Sequence, residues 1–294
     1  MLRFGLDLGG TKTEGAVLDS KRRVLFRERI PTAQDQGYEG ILRNLSGLYE
    51  RMKKISGDRK HTLGIGTPGT ISLKTGRLKN SNTLCLNGKL RKRDLERIFS
   101  HPVTLENDAN CFAVAEAVMG AGKGKGRVFG VILGTGCGGG LVENGEMIRG
   151  LQGLAGEWGH MAIDPAGPLC YCGARGCVET LISGGGLENL YDRKYKQRLG
   201  LTAIVDAARK NNPRARKFMN TFFLNFGRAM ANLINVLDPD IVVLGGGLSN
   251  IRELYTCGVR QTKRQVFGDD FRTPIVKNKL GDSAGVLGAA ILGI

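Results

Sequence analysis

The 294-residue chain is 41% hydrophobic and 24% charged, the proportions of an ordinary globular protein long enough for two domains. It has no apolar run as long as a membrane span, and its start, MLRFGLDLGG, enters a strand-like run without a signal peptide's architecture, so a cytoplasmic protein is expected. The formal charge of +16 raises nucleic acid as a partner, but the basic clusters at 21–23, 91–97, 123–127 and 209–217 are scattered between apolar segments, without an RNA-binding aromatic motif or a Cys2His2 finger. A solvated basic surface that favours anionic substrates such as nucleotide phosphates is the simpler expectation.

In chain order, a buried strand over 2–8 runs into Asp7-Leu8-Gly9-Gly10-Thr11-Lys12-Thr13 and a returning strand over 14–19. The backbone N–H groups of such a hairpin can face a phosphate. It is neither a Walker loop nor a dinucleotide fingerprint, because the glycines open a hairpin rather than a helix. A third strand over 23–30 and a helix over 38–55 complete the unit. The strand 62–66 ends in Thr67-Pro68-Gly69-Thr70, a turn by composition. Residues 72–87 are polar and irregular, and Asn80, Ser81, Asn82 and Asn87 read either as sugar-contacting groups or as solvated turn residues. A short helix over 91–99 and a strand over 103–105 lead to Glu106-Asn107-Asp108-Ala109-Asn110, ahead of an apolar helical run at 111–119. A carboxylate there lies where ligands of α/β sheets gather. Asn and Asp also cap helices, so one residue can cap while the other catalyses.

The glycine-rich segment 120–126 marks a boundary, after which the opening pattern recurs: a strand at 128–133, a glycine turn over 134–140 and a returning strand at 141–143. This suggests a duplicated architecture with one phosphate-binding hairpin per half. Next come Glu157-Trp158-Gly159-His160, Cys170-Tyr171-Cys172 and Cys177-Val178-Glu179. One imidazole and three thiols form the ligand set of a closed tetrahedral zinc site, here interleaved with two carboxylates. The alternative is free packing cysteines, while an odd total of seven argues against a disulfide framework. Helices follow at 201–210 and 213–237. Asp238-Pro239-Asp240 ends the second, and a strand at 241–244 reaches Gly245-Gly246-Gly247, expected to open a helix that takes a nucleoside or its phosphates. The segment 283–292 reads as a packing helix.

The Asp7–Thr13 hairpin, Asn107-Asp108-Ala109-Asn110, the 134–140 turn, Gly156 to His160, the Cys170/Cys172/Cys177/Glu179 loop and 237–247 together resemble the ROK family of sugar kinases and repressors. Gly134-Thr135-Gly136-Cys137-Gly138, Cys170-Tyr171-Cys172-Gly173, Leu86-Asn87-Gly88 and the 281–286 segment make it most similar to bacterial fructokinases of the manno(fructo)kinase type. The resemblance implies an actin-like, ribonuclease H-like fold, with two α/β domains (1–118 plus 281–294, and 119–280) around a central cleft. It implies ATP-dependent phosphorylation of a hexose at the 6-hydroxyl, with fructose first and mannose, glucose, N-acetylglucosamine and N-acetylmannosamine behind it. Asp108 is then the general base, and Asn107, Glu157, His160, Glu179, Gly69 and Asn82 bind the sugar. Asp7, Gly9, Gly10, Thr11 and Lys12 with Gly134, Thr135 and Gly136 surround the ATP phosphates and Mg²⁺, and Gly245, Gly246 and Gly247 lie beside the adenosine. His160, Cys170, Cys172 and Cys177 hold a structural zinc, the second ring nitrogen of His160 turning to the sugar. Family repressors carry a helix-turn-helix domain ahead of the first hairpin, which here begins at residue 7, so a kinase without a nucleic-acid or membrane partner is expected, as a homodimer or homotetramer.

Overall fold

The computed structural model describes residues 1–293 apart from Asp58, Leu73 and Asn82. The chain opens with the antiparallel strands β1 (Leu2–Leu8), β2 (Lys12–Leu18) and β3 (Val24–Pro31), followed by α1 (Gly37–Ser56). Then come β4 (His61–Thr67), the small strands β5 (Thr70–Ile71) and β6 (Leu78–Lys79), α2 (Lys92–Phe99), β7 (Thr104–Asn107) and α3 (Asp108–Val118). The pattern restarts with β8 (Arg127–Leu133), β9 (Cys137–Glu143) and β10 (Glu146–Ile148). A long irregular stretch leads to α4 (Val178–Ile182), α5 (Gly184–Tyr195), α6 (Leu201–Arg209), α7 (Pro213–Leu237), β11 (Ile241–Gly245), α8 (Cys257–Lys263), β12 (Ile275–Lys277) and α9 (Ala284–Leu292).

Two compact units result, Met1–Val118 with Leu280–Ile294, and Met119–Lys279. Their sheets are ordered β3-β2-β1-β4-β7 and β10-β9-β8-β11-β12. In each, an antiparallel three-strand meander is extended by two parallel strands, so the duplication anticipated from the two glycine hairpins is present in the backbone.

In the first unit, alternation in β1 places Leu2, Phe4, Leu6 and Leu8 on one face, all at most 5% exposed, where they pack with Ile41, Leu45, Leu48 and Met52 of α1. The opposite face is covered by α9. A Cβ on Gly64 would lie 1.8 Å from the Ala289 carbonyl oxygen, and one on Gly5 2.2 Å from that of Val286, so helix backbone rests directly on sheet backbone. In the second unit, Phe129, Val131 and Leu133 of β8 join a core with Phe222, Phe226 and Met230 of α7. That helix starts with Pro213 behind an Asn212 side chain that accepts from the Ala215 amide, and it stops at Asp238 in the left-handed region.

The sequence reading did not anticipate β5, β6, β10, β12, α4 or α8, and three further differences bear on the site. β9 begins at Cys137, so the expected 134–140 turn shortens to Gly134-Thr135-Gly136. Gly245 ends β11, and a single 3-10 turn over Gly247–Asn250 follows instead of a helix, removing the argument for a helix N-terminus there. The helix α5, opened by three glycines, was not anticipated.

Candidate functional site

In the first unit the carboxyls of Asp7, near the end of β1, and Asp108, at the β7–α3 junction, are close enough for each charge to act on the other. Burial pushes the Asp7 carboxyl up to about 7, Asp108 and then Glu14 push the same way, and Arg29 opposes them. Glu14 is itself 5% exposed inside β2, accepting from Arg29 Nη2 at 2.7 Å and from the Ser283 hydroxyl at 2.9 Å. Gly285 lies over Asp7, since a Cβ there would fall 2.4 Å from Asp7 Oδ2. Glu14, Arg29, Ser283 and Gly285 escaped the sequence reading. The signals available were a carboxylate within the first hairpin's returning strand and the 281–286 segment, which the sequence reading used for resemblance.

Of the pair Asn107 and Asp108, it is Asn107 that caps the helix. The Asn107 Oδ1 atom accepts from the Asn110 amide at 2.7 Å and caps α3, while Asp108 Oδ1 meets the Ala109 amide at 2.8 Å. The Gly9-Gly10-Thr11 turn is held from one side, where Thr32 donates through its hydroxyl to the Gly9 carbonyl at 2.8 Å and through its amide to that of Thr11 at 3.0 Å. Lys12 is exposed at the start of β2. Gly69, at φ +91°, turns the chain so closely onto 79–81 that a Cβ would lie 2.4 Å from the Lys79 carbonyl oxygen. Asn82 lies outside the described residues.

In the second unit, the stretch Gly156 to His160 is pressed against β9. Trp158 donates from Nε1 to the Gly138 carbonyl at 2.9 Å, and a Cβ on Gly159 would come within 2.2 Å of the Cys137 carbonyl oxygen. Glu157 precedes the 3-10 turn Trp158–His160 and is exposed. From His160 the chain loops out and returns at Cys177. The loop is closed by Ile163 donating to Gly176 at 2.9 Å and Val178 donating to Met161 at 2.9 Å.

The donor atoms of His160, Cys170, Cys172 and Cys177 all lie within 4.8 Å of one another at the base of this loop. The Cys172 and Cys177 sulfurs are 3.6 Å apart, and Cys170 Sγ is 3.7 Å from His160 Nδ1. Two thiolates on one tetrahedral zinc with bonds of about 2.3 Å would be about 3.8 Å apart, so the donor set fits that ion. The second ring nitrogen, expected to turn to the sugar, has a protein partner in this structure. His160 Nε2 lies 2.9 Å from the hydroxyl of Tyr171, a side chain that the sequence reading passed over. Glu179, two residues past the last ligand, also differs from a purely sugar-facing group, because its Oε2 accepts from the Cys137 amide at 2.9 Å.

Two pockets flank the Gly134-Thr135-Gly136 turn. One, of about 520 Å³, is lined by Gly134 and Thr135, by Gly247 and Asn250, and by Glu188, Thr202, Asp206 and Arg209 from the helices. Of the three expected glycines only Gly247 reaches it, because Gly245 is buried in β11 and Gly246, at φ +77°, is packed on Leu133 backbone. The other, of about 420 Å³, lies between the same turn and the cysteine loop, with Glu179, Tyr171, Leu169, Thr180, Asn189 and Arg193 in its wall.

The sequence matches the profile of the ROK family over residues 3–294. It is 39% identical to an N-acetylgalactosamine kinase of Shewanella sp. (strain ANA-3), over 99% of this chain and 96% of that protein. It is 36% identical to an N-acetyl-D-glucosamine kinase of Photobacterium profundum, over 99% of both. Among solved structures, the ROK hexokinase of Thermus thermophilus superposes with a TM-score of 0.89 at 32% identity, covering 100% of this chain and 98% of that one. A ROK family glucokinase from Streptomyces griseus, in complex with glucose and AMPPNP, superposes at 0.80 with 29% identity, covering 100% and 99%. The actin-like, ribonuclease H-like architecture of these neighbours is also the fold of this chain. With the profile matched almost from end to end, the chain belongs to the ROK family.

Proposed function

We propose that the protein transfers the terminal phosphoryl group of ATP to the 6-hydroxyl of an N-acetylhexosamine. The observation that carries this is full-length similarity, at 36% to 39% identity, to kinases named for N-acetylgalactosamine and N-acetylglucosamine. The fructose expected from short motifs finds no support among these relatives, and the sugar is corrected accordingly. The 420 Å³ pocket agrees with this assignment, since Leu169 and Tyr171 offer apolar surface for an acetyl methyl while Thr180 and Asn189 offer partners for its amide.

Asp108 takes the proton of the 6-hydroxyl as general base, at the first position of α3 where β7 ends. Phosphoryl transfer needs orientation and charge neutralisation more than covalent help. Asp7, with Thr11, Lys12 and the amides of Gly9 and Gly10, is assigned to the Mg²⁺-bound phosphates. The turn 134–136 and the 520 Å³ pocket are assigned to the rest of the nucleotide, where Asp206 and Glu188 can accept from ribose hydroxyls. Glu157, Glu179, His160, Gly69 and the amide nitrogen of Asn107 are assigned to the sugar hydroxyls. Zinc, held by His160, Cys170, Cys172 and Cys177, would cross-link the loop between Glu157 and Glu179, and four protein ligands leave it no open position for chemistry.

The test is an ADP-release assay with MgATP against N-acetylglucosamine, N-acetylgalactosamine, N-acetylmannosamine, glucose, mannose and fructose. An N-acetylhexosamine is expected to give the highest kcat/KM. A preference for fructose would overturn the sugar assignment, and absence of turnover with every sugar would overturn the kinase reading.

A further inference from the structure

The turn Gly134-Thr135-Gly136 is fastened from outside its own hairpin by one short piece of chain. Gly184 donates to the Gly134 carbonyl at 2.7 Å, Gly185 donates to that of Thr135 at 3.1 Å, and Glu179 accepts the Cys137 amide at 2.9 Å. All three belong to residues 179–185, the segment that closely follows Cys177. Contact is too close for larger residues. A Cβ on Gly136 would meet Glu179 Oε2 at 2.8 Å, and one on Gly184 or Gly185 would stand 2.9 Å from the carbonyl oxygen it faces. Between the cysteine and the turn there is little slack, since Thr180 donates through amide and hydroxyl to the Cys177 carbonyl, at 3.0 and 2.8 Å. The Ser183 amide reaches the Glu179 carbonyl at 3.2 Å, and the Ser183 hydroxyl caps α5. The Cys3His ligand set therefore anchors one end of a rigid strut whose other end holds the nucleotide turn.

We propose that Glu179 is a positioning residue for the nucleotide turn, and that metal bound at His160, Cys170, Cys172 and Cys177 sets nucleotide affinity through it, even with no sugar present. This rests on the assignment of the 134–136 turn to ATP. A carboxylate in the first turn of α4, fixed by the metal ligand two residues before it, keeps the Cys137 amide engaged and so holds the turn in its bound shape in advance. Without the cross-link the strut is free to shift, and nucleotide binding must then order it.

Calorimetric titration of the sugar-free protein with MgAMPPNP tests this on the zinc-loaded wild type, the metal-stripped wild type, Glu179→Gln and Glu179→Ala. Glutamine keeps an acceptor for the Cys137 amide without the charge, whereas alanine removes it. Stripping the metal and Glu179→Ala are each expected to weaken binding roughly tenfold, the size of one hydrogen bond to a charged group, with Glu179→Gln near the wild type. Metal removal in the Glu179→Ala background should then add little. Cys172→Ser, at the exposed ligand, weakens the metal without touching the turn and guards against a misfolded alanine variant. Hydrogen exchange across residues 134–137 should quicken in every weakened form. If the loaded wild type binds MgAMPPNP and all the other forms bind it equally well, the coupling is overturned while the nucleotide assignment stands. If the loaded wild type itself fails to bind, the assignment of the turn is what falls.

Discussion

The turns at Gly9-Gly10-Thr11 and Gly134-Thr135-Gly136 join equivalent strands of equivalent sheets, yet they are equipped in opposite ways. The first is surrounded by ionisable groups: Asp7 below it, Lys12 after it, and Glu14 with Arg29 behind. It is fastened by Thr32, at the end of the next strand in the same meander. The second has no charged residue of its own and is fastened by Gly184, Gly185 and Glu179, more than forty residues further along the chain. A hairpin turn offers amides wherever it occurs. What surrounds the turn decides how much charge stands beside those amides.

The largest effect should come from the charged half. Asp108→Ala is expected to lower kcat by about 10³-fold, within the range of a lost general base, while MgAMPPNP affinity stays near the wild-type value. A variant with substantial turnover would remove Asp108 from the reaction. Next is Gly64→Ala, which drives a methyl into the Ala289 carbonyl of α9 and should cost about 2–3 kcal/mol in chemical denaturation. An unchanged denaturation midpoint would mean that α9 does not rest on the sheet as described.

Asp7→Asn is a smaller effect with a sign. The folded value of Asp7, about 7, lies above the ordinary 3.8, so folding favours its protonated form. The stability it contributes is fully present below about pH 4 and is lost as pH rises through 7. In the absence of Mg²⁺, the stability advantage of Asp7→Asn over the wild type should therefore grow from pH 4 to pH 8, by roughly 1 kcal/mol after solvent screening, read as a rising difference in Tm. A difference flat with pH would break the claim that Asp7 is crowded by burial and by Asp108. Smallest is Tyr171→Phe in the second unit. Tyr171 is 70% exposed and phenylalanine keeps the ring that stands edge-on to His160, so the change should mainly release His160 Nε2. Sugar KM is expected to fall about threefold at unchanged kcat, the worth of one modest hydrogen bond. A rise in KM would show instead that the hydroxyl holds the ring in place.

Much of this was readable along the chain, for reasons of local chemistry. Strand, glycine turn and returning strand are contiguous, so both hairpins could be found by pattern. The same is true of the cap at Asn107 beside the carboxylate of Asp108. His160, Cys170, Cys172 and Cys177 were legible as a set because metal loops draw their ligands from a short span. The helix α5 was hidden by Gly184-Gly185-Gly186, since glycine argues against a helix, and only the contacts with Gly134 and Thr135 explain why Gly184 and Gly185 are small.

The sequence by itself determined the periodic strands and helices, the two turns and the metal-ligand spacing, because each depends on residues within a short stretch of chain. Folding decided what lies against what. It set Gly285 over Asp7, placed the Tyr171 hydroxyl on His160 and put the Glu179 carboxylate on the Cys137 amide. The longest of those pairings joins opposite ends of the chain, and no local preference specifies any of them. They follow from sheets and helices burying apolar faces, which brings distant backbone into contact and leaves each polar group to find its partner there.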